Sequence, residues 1–283
     1  MNSIKGKTLA VLEVFVVTFL CVPLLTRGIY KLFPGFESWQ METLGFPFAV
    51  FVYVVMAGLS LLAILLHRGK LADYGIVFIP LKYHLDITAA CFLPVALASV
   101  PIAMGVDYKT WTGALILAAV QIGLLIVLAL ILRKKPSAPA LVMSAVGIFL
   151  MAPGSNAAGA TAGKAIVLFL TYALFVGFGE EIIYRGYMQS RLNEAFGKPY
   201  RFFGVAFGWG GIITALLFGF MHVGVLYWVL GQSTEVTLAY GFWTFFGGLV
   251  FGFVREKSGS ILAPALLHGL PQAIATVAML FLS

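Results

Sequence analysis

The sequence contains few charged residues and few cysteines. Of its 283 residues only 10% are charged and 61% are hydrophobic, whereas soluble domains carry about 25% charged residues. This composition and the mean hydropathy of +1.01 leave no room for a soluble domain. The two cysteines, Cys21 and Cys91, both lie in apolar segments, which excludes a disulfide framework and a cysteine-based metal site. We expect one integral membrane domain over residues 1–283.

Long apolar runs indicate helices that cross a bilayer. A helix needs roughly 17 to 25 apolar residues to cross the hydrocarbon core, and open sheet edges cannot face lipid. The expected fold is therefore all-α, a polytopic transmembrane helical bundle of nine spans, or of eight if the short fifth run does not cross. The runs cover residues 8–26, 46–66, 86–104, 112–132, 138–153, 163–187, 203–222, 236–254 and 260–282.

Basic residues are distributed unequally between the two sides of the predicted bundle. With nine spans, 14 of the 18 Lys and Arg residues fall on one side, leaving only Arg27, Lys31, Lys109 and Lys164 on the other. Because positively charged loops stay in the cytoplasm, this places the N-terminus inside the cell, and we expect a multi-pass protein of the plasma membrane. The net charge of +7 then reflects contact with membrane lipids, and no nucleic acid partner is expected.

Two adjacent glutamates interrupt the apolar helix that is predicted from residue 163 to residue 196. Charged groups inside a membrane are costly, so Glu180 and Glu181 need partners or a wet cavity. Arg185 lies four residues after Glu181, on the same helical face, and can pair with it. One interpretation ends there, with an acid pair neutralised at the membrane surface.

Two histidines in the C-terminal third favour a second interpretation. The next helix, expected to begin at Phe202, ends at His222, and a later helix carries His268 with Gln272 one turn beyond it. Counting residues from the connecting turns places Glu180, His222 and His268 at one depth. The other two histidines fall in the polar connection of residues 67–86 and are expected to be solvated.

A carboxylate, two imidazoles and an amide in a half-dry cavity suit the hydrolysis of an amide bond. A carboxylate hydrogen-bonded to water can act as a general base, with a histidine beside it. A second histidine and an amide can donate hydrogen bonds to the oxyanion that forms. No serine or cysteine is placed by a motif as a nucleophile, so the chemistry expected is direct attack by water.

The same residues form three ordered motifs on three predicted helices. This set resembles the CAAX prenyl protease and bacteriocin-processing superfamily of intramembrane glutamate proteases, over roughly residues 163–275 in the C-terminal half of the chain. The motifs are Glu-Glu-x-x-x-Arg at Glu180, Glu181 and Arg185, Phe-x-x-x-His at Phe218 and His222, and a third helix with His268.

The resemblance implies roles for these residues. Glu180 and His222 would activate water, and His268 with Gln272 would form the oxyanion site, although the family has asparagine or aspartate where this chain has Gln272. The Glu181 and Arg185 pair would support Glu180, with no metal and no other cofactor. The implied substrate is a lipidated CAAX-type peptide or another membrane-associated peptide, and whether it is prenylated stays open. The resemblance assigns no role to residues 1–160.

Three alternatives remain at this point. Two histidines and a carboxylate could bind zinc and leave one position for water, as in metalloproteases. The presence of Gln272 where the family has asparagine or aspartate fits a non-catalytic member of the same superfamily, such as an immunity factor or a scaffold. Carboxylates and histidines also carry protons in transporters, but the sequence has no inverted halves that would favour this.

Overall fold

The computed structural model describes residues 3–44, 49–133, 159–225 and 237–282. These residues form a bundle of membrane-spanning helices with one short β-hairpin, which confirms the predicted all-α membrane fold. The α-helices are α1 (Ile4–Val16), α2 (Val22–Leu32), α3 (Pro34–Leu44), α4 (Ala49–Leu66), α5 (Leu81–Leu97), α6 (Val100–Ala103), α7 (Trp111–Ile131), α8 (Gly159–Leu170), α9 (Gly177–Glu181), α10 (Gln189–Phe196), α11 (Trp209–Phe220), α12 (Leu238–Ser258) and α13 (Leu262–Leu282).

Several of these helices join through π-helical turns without a break. One such turn links α1 to α2, two link α8, α9 and α10 into a single long helix over residues 159–196, and one extends α11. The predicted continuity from residue 163 to residue 196 is therefore confirmed. The π-helical turns cover Val17–Cys21, Thr171–Val176, Ile182–Met188 and Met221–Val225.

Eight apolar helices account for eight of the nine predicted spans. Five are long enough to cross a membrane, and three are shorter. The predicted span 138–153 lies outside the described residues. The five long helices are Ile4–Leu32, Leu81–Ala103, Trp111–Ile131, Ala162–Phe196 and Leu238–Ser258, and the shorter ones are Val50–Leu66, Trp209–Gly224 and Leu262–Ala278.

Two predicted boundaries are wrong. Residues 203–208 do not begin the seventh span, because Tyr200–Phe202 (β1) and Val205–Phe207 (β2) pair as an antiparallel hairpin and the helix starts at Trp209. The third span begins at Leu81, inside the connection that was expected to be polar. His84 is consequently on a helix and only 3% exposed, which contradicts the expectation of a solvated histidine.

Contacts among side chains show which elements share one end of the bundle. We call it the basic end, because most of the Lys and Arg residues were predicted to lie there. Glu13 on α1 accepts hydrogen bonds from Tyr187 (2.6 Å) and Arg191 (3.1 Å), and it lies 2.7 Å from His67 at the end of α4. The ammonium of Lys7 lies over the Phe196 ring. The N-terminus and the C-terminal end of the long helix therefore share one end of the bundle.

Close contact between backbones fixes the long helix against α13. A Cβ atom built on Gly177 would lie 2.6 Å from the carbonyl oxygen of Ala265, and one built on Gly269 would lie 2.7 Å from that of Tyr172. Only glycine permits this approach without a shift of the main chain. The helix with Glu180 is thereby held directly against the helix with His268.

Candidate active site

A buried ion pair lies at the centre of the candidate site. Arg185 and Glu181 are both fully buried, and their side chains meet at 3.1 Å between Nη1 and Oε1. The guanidinium also donates through Nη2 to the carbonyl oxygen of Gly248 on α12, at 3.2 Å. The spacing of four residues predicted this pair, and the contact with α12 ties it to a second helix.

His268 joins the long helix to α13 through the same carboxylate. Its Nδ1 lies 3.0 Å from Oε1 of Glu181, so the two residues are hydrogen-bonded. Because a carboxylate only accepts, Nδ1 must carry the hydrogen. The other ring nitrogen, Nε2, then faces away from Glu181 and lies 3.8 Å from Oε2 of Glu180.

Glu180 differs from its neighbour in having free hydrogen-bonding capacity. It is 9% exposed, and no side chain among the described residues donates a hydrogen bond to it. The 3.8 Å separation from His268 is too long for a direct hydrogen bond. Glu180 is thus the carboxylate of the pair that can accept a proton from water or substrate, whereas Glu181 is already engaged by Arg185 and His268.

His222 lies at the end of the helix that follows the hairpin. Its Nδ1 is 2.8 Å from the carbonyl oxygen of Phe218, so Nδ1 donates, and in the neutral ring Nε2 is an acceptor. Gly224, with a φ of 95°, ends the helical geometry two residues later. The His222 ring also lies edge-on to Tyr240, with 5.3 Å between ring centroids.

Aromatic rings fill the space between the polar groups. The Phe218 ring lies 4.4 Å from His222 and 6.2 Å from His268. It also lies 4.7 Å from the guanidinium of Arg185, a cation–π contact. Phe218 thus touches both imidazoles and the buried cation.

Gln272 is placed differently from the other predicted residues. It follows His268 by one turn of α13 and is exposed. In the part of the chain that the structure describes, it makes no hydrogen bond to Glu180, Glu181 or either histidine. The structure therefore brings together the two glutamates, Arg185, Phe218 and the two histidines, and leaves Gln272 at the edge of this cluster.

The sequence reasoning missed two residues of α12 and one of the long helix. Phe251 stacks on His268 with 4.8 Å between ring centroids and 16° between planes, and Gly248 supplies the carbonyl that Arg185 needs. Tyr184, only 1% exposed, packs edge-on against Phe218 at 4.9 Å. A glycine-rich run like the one around Gly248 is typical of close helix packing, but no signal in the sequence ties Phe251 or Tyr184 to the site.

The described residues contain no group of three or more His, Cys, Asp or Glu side chains arranged to hold one metal ion. The zinc alternative therefore has no preformed set of three ligands in these ranges. A chelator provides its direct test.

A membrane-embedded helical bundle with a buried carboxylate and imidazole cluster is the class of protein that this fold and site define. Residues 162–274 match the family of type II CAAX prenyl endopeptidases described as Rce1-like. This segment is therefore similar to the Rce1-like family, which confirms the resemblance that the motifs predicted over residues 163–275. Neither a curated protein nor a solved structure matches the chain.

Proposed function

We propose that the protein is a membrane-embedded endopeptidase that hydrolyses a peptide bond with water activated by Glu180 and His222. The observation that carries the proposal is the difference in hydrogen bonding between Glu180 and Glu181. Glu181 is engaged by Arg185 and His268, whereas Glu180 retains free acceptor capacity and lies 3.8 Å from Nε2 of His268. The Rce1-like family match of this segment supports a protease.

In the proposed reaction, Glu180 takes a proton from water while the hydroxide bonds to the scissile carbonyl carbon. His222 orients that water, because no described residue donates a hydrogen bond to its Nε2, which can accept one from water. When the tetrahedral intermediate collapses, the carbon–nitrogen bond breaks and the leaving amine takes the proton from Glu180. No covalent intermediate forms.

His268 is the proposed donor to the oxyanion. Its Nδ1–H is engaged by Glu181, so donation through Nε2 requires a proton on both ring nitrogens. Two carboxylates and one guanidinium give the cluster a net charge of −1, which a protonated His268 cancels. The negative charge that develops on the substrate then meets a cation held in place before the reaction.

Gln272 is proposed as the second oxyanion donor. Its exposed amide, one turn from His268, lies where a substrate entering beside α13 would meet it. Because Gln272 makes no hydrogen bond within the described residues, Gln272→Ala should leave thermal stability unchanged. Loss of one oxyanion donor lowers kcat by about 10²–10³-fold, and Gln272→Asn should retain activity. An unchanged kcat in Gln272→Ala would remove this residue from the site.

The substrate proposed is a lipidated CAAX-type peptide or another membrane-associated peptide that enters from the cytoplasmic side. The site lies about 11 residues before Arg191, hence roughly 15 Å from the basic end of the bundle. If positively charged ends stay in the cytoplasm, that end and the N-terminus lie inside the cell. The proposed location is the plasma membrane.

The test is cleavage of a fluorescent farnesylated CAAX peptide by detergent-purified protein. Glu180→Gln and His222→Ala should each lower kcat by about 10²–10⁴-fold while the protein stays folded. Glu194→Gln makes the same change on the same long helix, at a carboxylate with 59% exposure, and should keep full activity. Cleavage that survives Glu180→Gln would refute the proposal.

Two further arms separate the alternatives. Cleavage by the wild type that a zinc chelator abolishes would favour the metalloprotease. A folded wild type that cleaves neither farnesylated nor unmodified membrane peptides would favour the non-catalytic member of the family.

A further inference from the structure

A shallow groove lies at the basic end of the bundle, away from the cluster around Glu180. Its volume is about 460 Å³. It is formed where the C-terminal end of α7 meets the β-hairpin, and we call it the hairpin groove. Its lining residues are Arg133, Arg201, Phe202, Phe203 and Gly204.

The charge of the hairpin groove is entirely positive. Arg133 and Arg201 come from positions 68 residues apart in the chain and converge on one concavity, and both side chains are exposed. No carboxylate lines the groove, and neither arginine forms an ion pair within the described ranges. Two guanidinium groups without a counter-charge attract an anion, and their planar donors match phosphate oxygens.

Three other basic residues at this end of the bundle are neutralised by carboxylates of the chain itself. Unlike these three, the two arginines of the groove have charge available for a ligand. The neutralised residues are Arg191 with Glu13 and Glu194, Lys198 with Glu256, and Lys82 with Asp86.

The turn of the hairpin is built to hold an aromatic ring in the groove. Phe203 (φ 48°) and Gly204 (φ 85°) are its two central residues, and both have positive φ. This pair suits a two-residue turn, but positive φ is unfavourable for phenylalanine. The strained turn places the Phe203 ring 5.9 Å from the guanidinium of Arg133.

The hairpin groove opens beside an apolar face of α7 that is exposed on the surface of the described residues. Arg133 follows the last residue of α7 by two positions. On the final turns of α7, Ile126, Val127 and Leu130 are each 42–49% exposed. A phospholipid whose acyl chains lie along this face would present its phosphate at the level of the two arginines.

We propose that Arg133 and Arg201 bind the phosphodiester of an anionic phospholipid at the membrane interface, with the acyl chains against α7. Phe203 holds the Arg133 guanidinium on the groove wall. This site is separate from the cluster around Glu180, and the proposal does not depend on proteolytic activity.

The test is native mass spectrometry of the full chain in mild detergent, titrated with phosphatidylglycerol and with phosphatidylcholine. We expect the wild type to bind phosphatidylglycerol at least about tenfold more tightly, because its headgroup carries no compensating cation. The variant Arg133→Gln/Arg201→Gln should bind it roughly 30-fold more weakly, about fivefold for each charge. Each single variant should lose about fivefold, and Arg133→Lys/Arg201→Lys, which keeps the charge but loses the planar donors, should bind with an affinity between those of the wild type and the double glutamine variant.

A matched control distinguishes the groove from general surface charge. Lys5→Gln/Lys70→Gln removes the same charge from two exposed residues at the same end and should weaken binding by less than about twofold. Equal losses in the control and in the arginine double variant would overturn the proposal. A soluble phosphate, glycerol 3-phosphate, should not displace the lipid. Displacement at concentrations that match the lipid would overturn the assignment to a membrane lipid.

Discussion

The Arg185→Met substitution removes a guanidinium from a fully buried ion pair, and we expect it to destabilise the protein strongly. The change leaves the Glu181 carboxylate, at 0% exposure, without its cation, and the carbonyl of Gly248 without its donor. Removing one partner of a buried pair lowers the free energy of unfolding by about 3–5 kcal/mol. At about 2–4 °C for each kcal/mol, the melting temperature should fall by about 6–20 °C.

The assay is thermal unfolding of detergent-purified protein, with a double variant as the decisive comparison. Arg185→Met/Glu181→Gln removes both charges but keeps an oxygen that can accept from His268, so it should recover much of the lost stability. Arg133→Met, at an exposed arginine without an ion pair in the described ranges, should change the free energy by less than about 0.5 kcal/mol. If Arg185→Met has the same melting temperature as the wild type, the pair has no stabilising role. A double variant as unstable as the single one would show that lost packing, not an unpaired charge, causes the effect.

Two other substitutions test the packing of the helices that carry the site. Gly177→Ala should lower the free energy of unfolding by about 1–3 kcal/mol, because the added Cβ meets the carbonyl oxygen of Ala265 at 2.6 Å. A variant as stable as the wild type, or more stable, would contradict that contact. Gly123→Ala is its control, since nothing lies within 4 Å, and it should stabilise the helix by about 0.5–1 kcal/mol. Glu256→Gln should lower the free energy of unfolding by about 1.5–3 kcal/mol, because the buried carboxylate accepts a hydrogen bond from the charged Lys198 at 3.1 Å. A melting curve unchanged from that of the wild type would contradict this role.

Helical periodicity was enough to predict the parts of the site that depend on local spacing. Glu181 and Arg185 are four residues apart, and their ion pair follows from that spacing alone. The apolar run also predicted that its helix ends at His222, and in the structure the helical geometry ends two residues later, at Gly224. These features depend on one helix or one connection, for which the chain geometry is well determined by sequence.

The pairing across helices was less predictable. Glu181, not Glu180, makes the hydrogen bond to His268, and side-chain direction at this point of the long helix depends on the preceding π-helical turn at Thr171–Val176. Each π-helical turn adds a residue to a turn and rotates the residues that follow, and these sequences carry no signal for it. Phe251 likewise joined the site only through tertiary packing against His268.

The hairpin and His84 show two further features that the sequence did not predict. Three-residue strands are too short to display alternation, so Tyr200–Phe202 and Val205–Phe207 were read as a turn and the start of a helix. The one available signal was Gly204, between two short runs that contain aromatic residues. His84 was predicted to be solvated because it falls in the polar connection of residues 67–86, yet its helix turns the imidazole toward the core while Lys82 is exposed.

The glycine contacts between the long helix and α13 have a consequence for how the protein responds to its bilayer. Helices adjust to hydrocarbon layers of different thickness by tilting. Where Gly177 and Gly269 hold two backbones in direct contact, one helix cannot tilt without carrying the other. A thinner or thicker bilayer should therefore alter the depth at which Glu180 meets a substrate, while the separation of Glu180 from His268 stays constant.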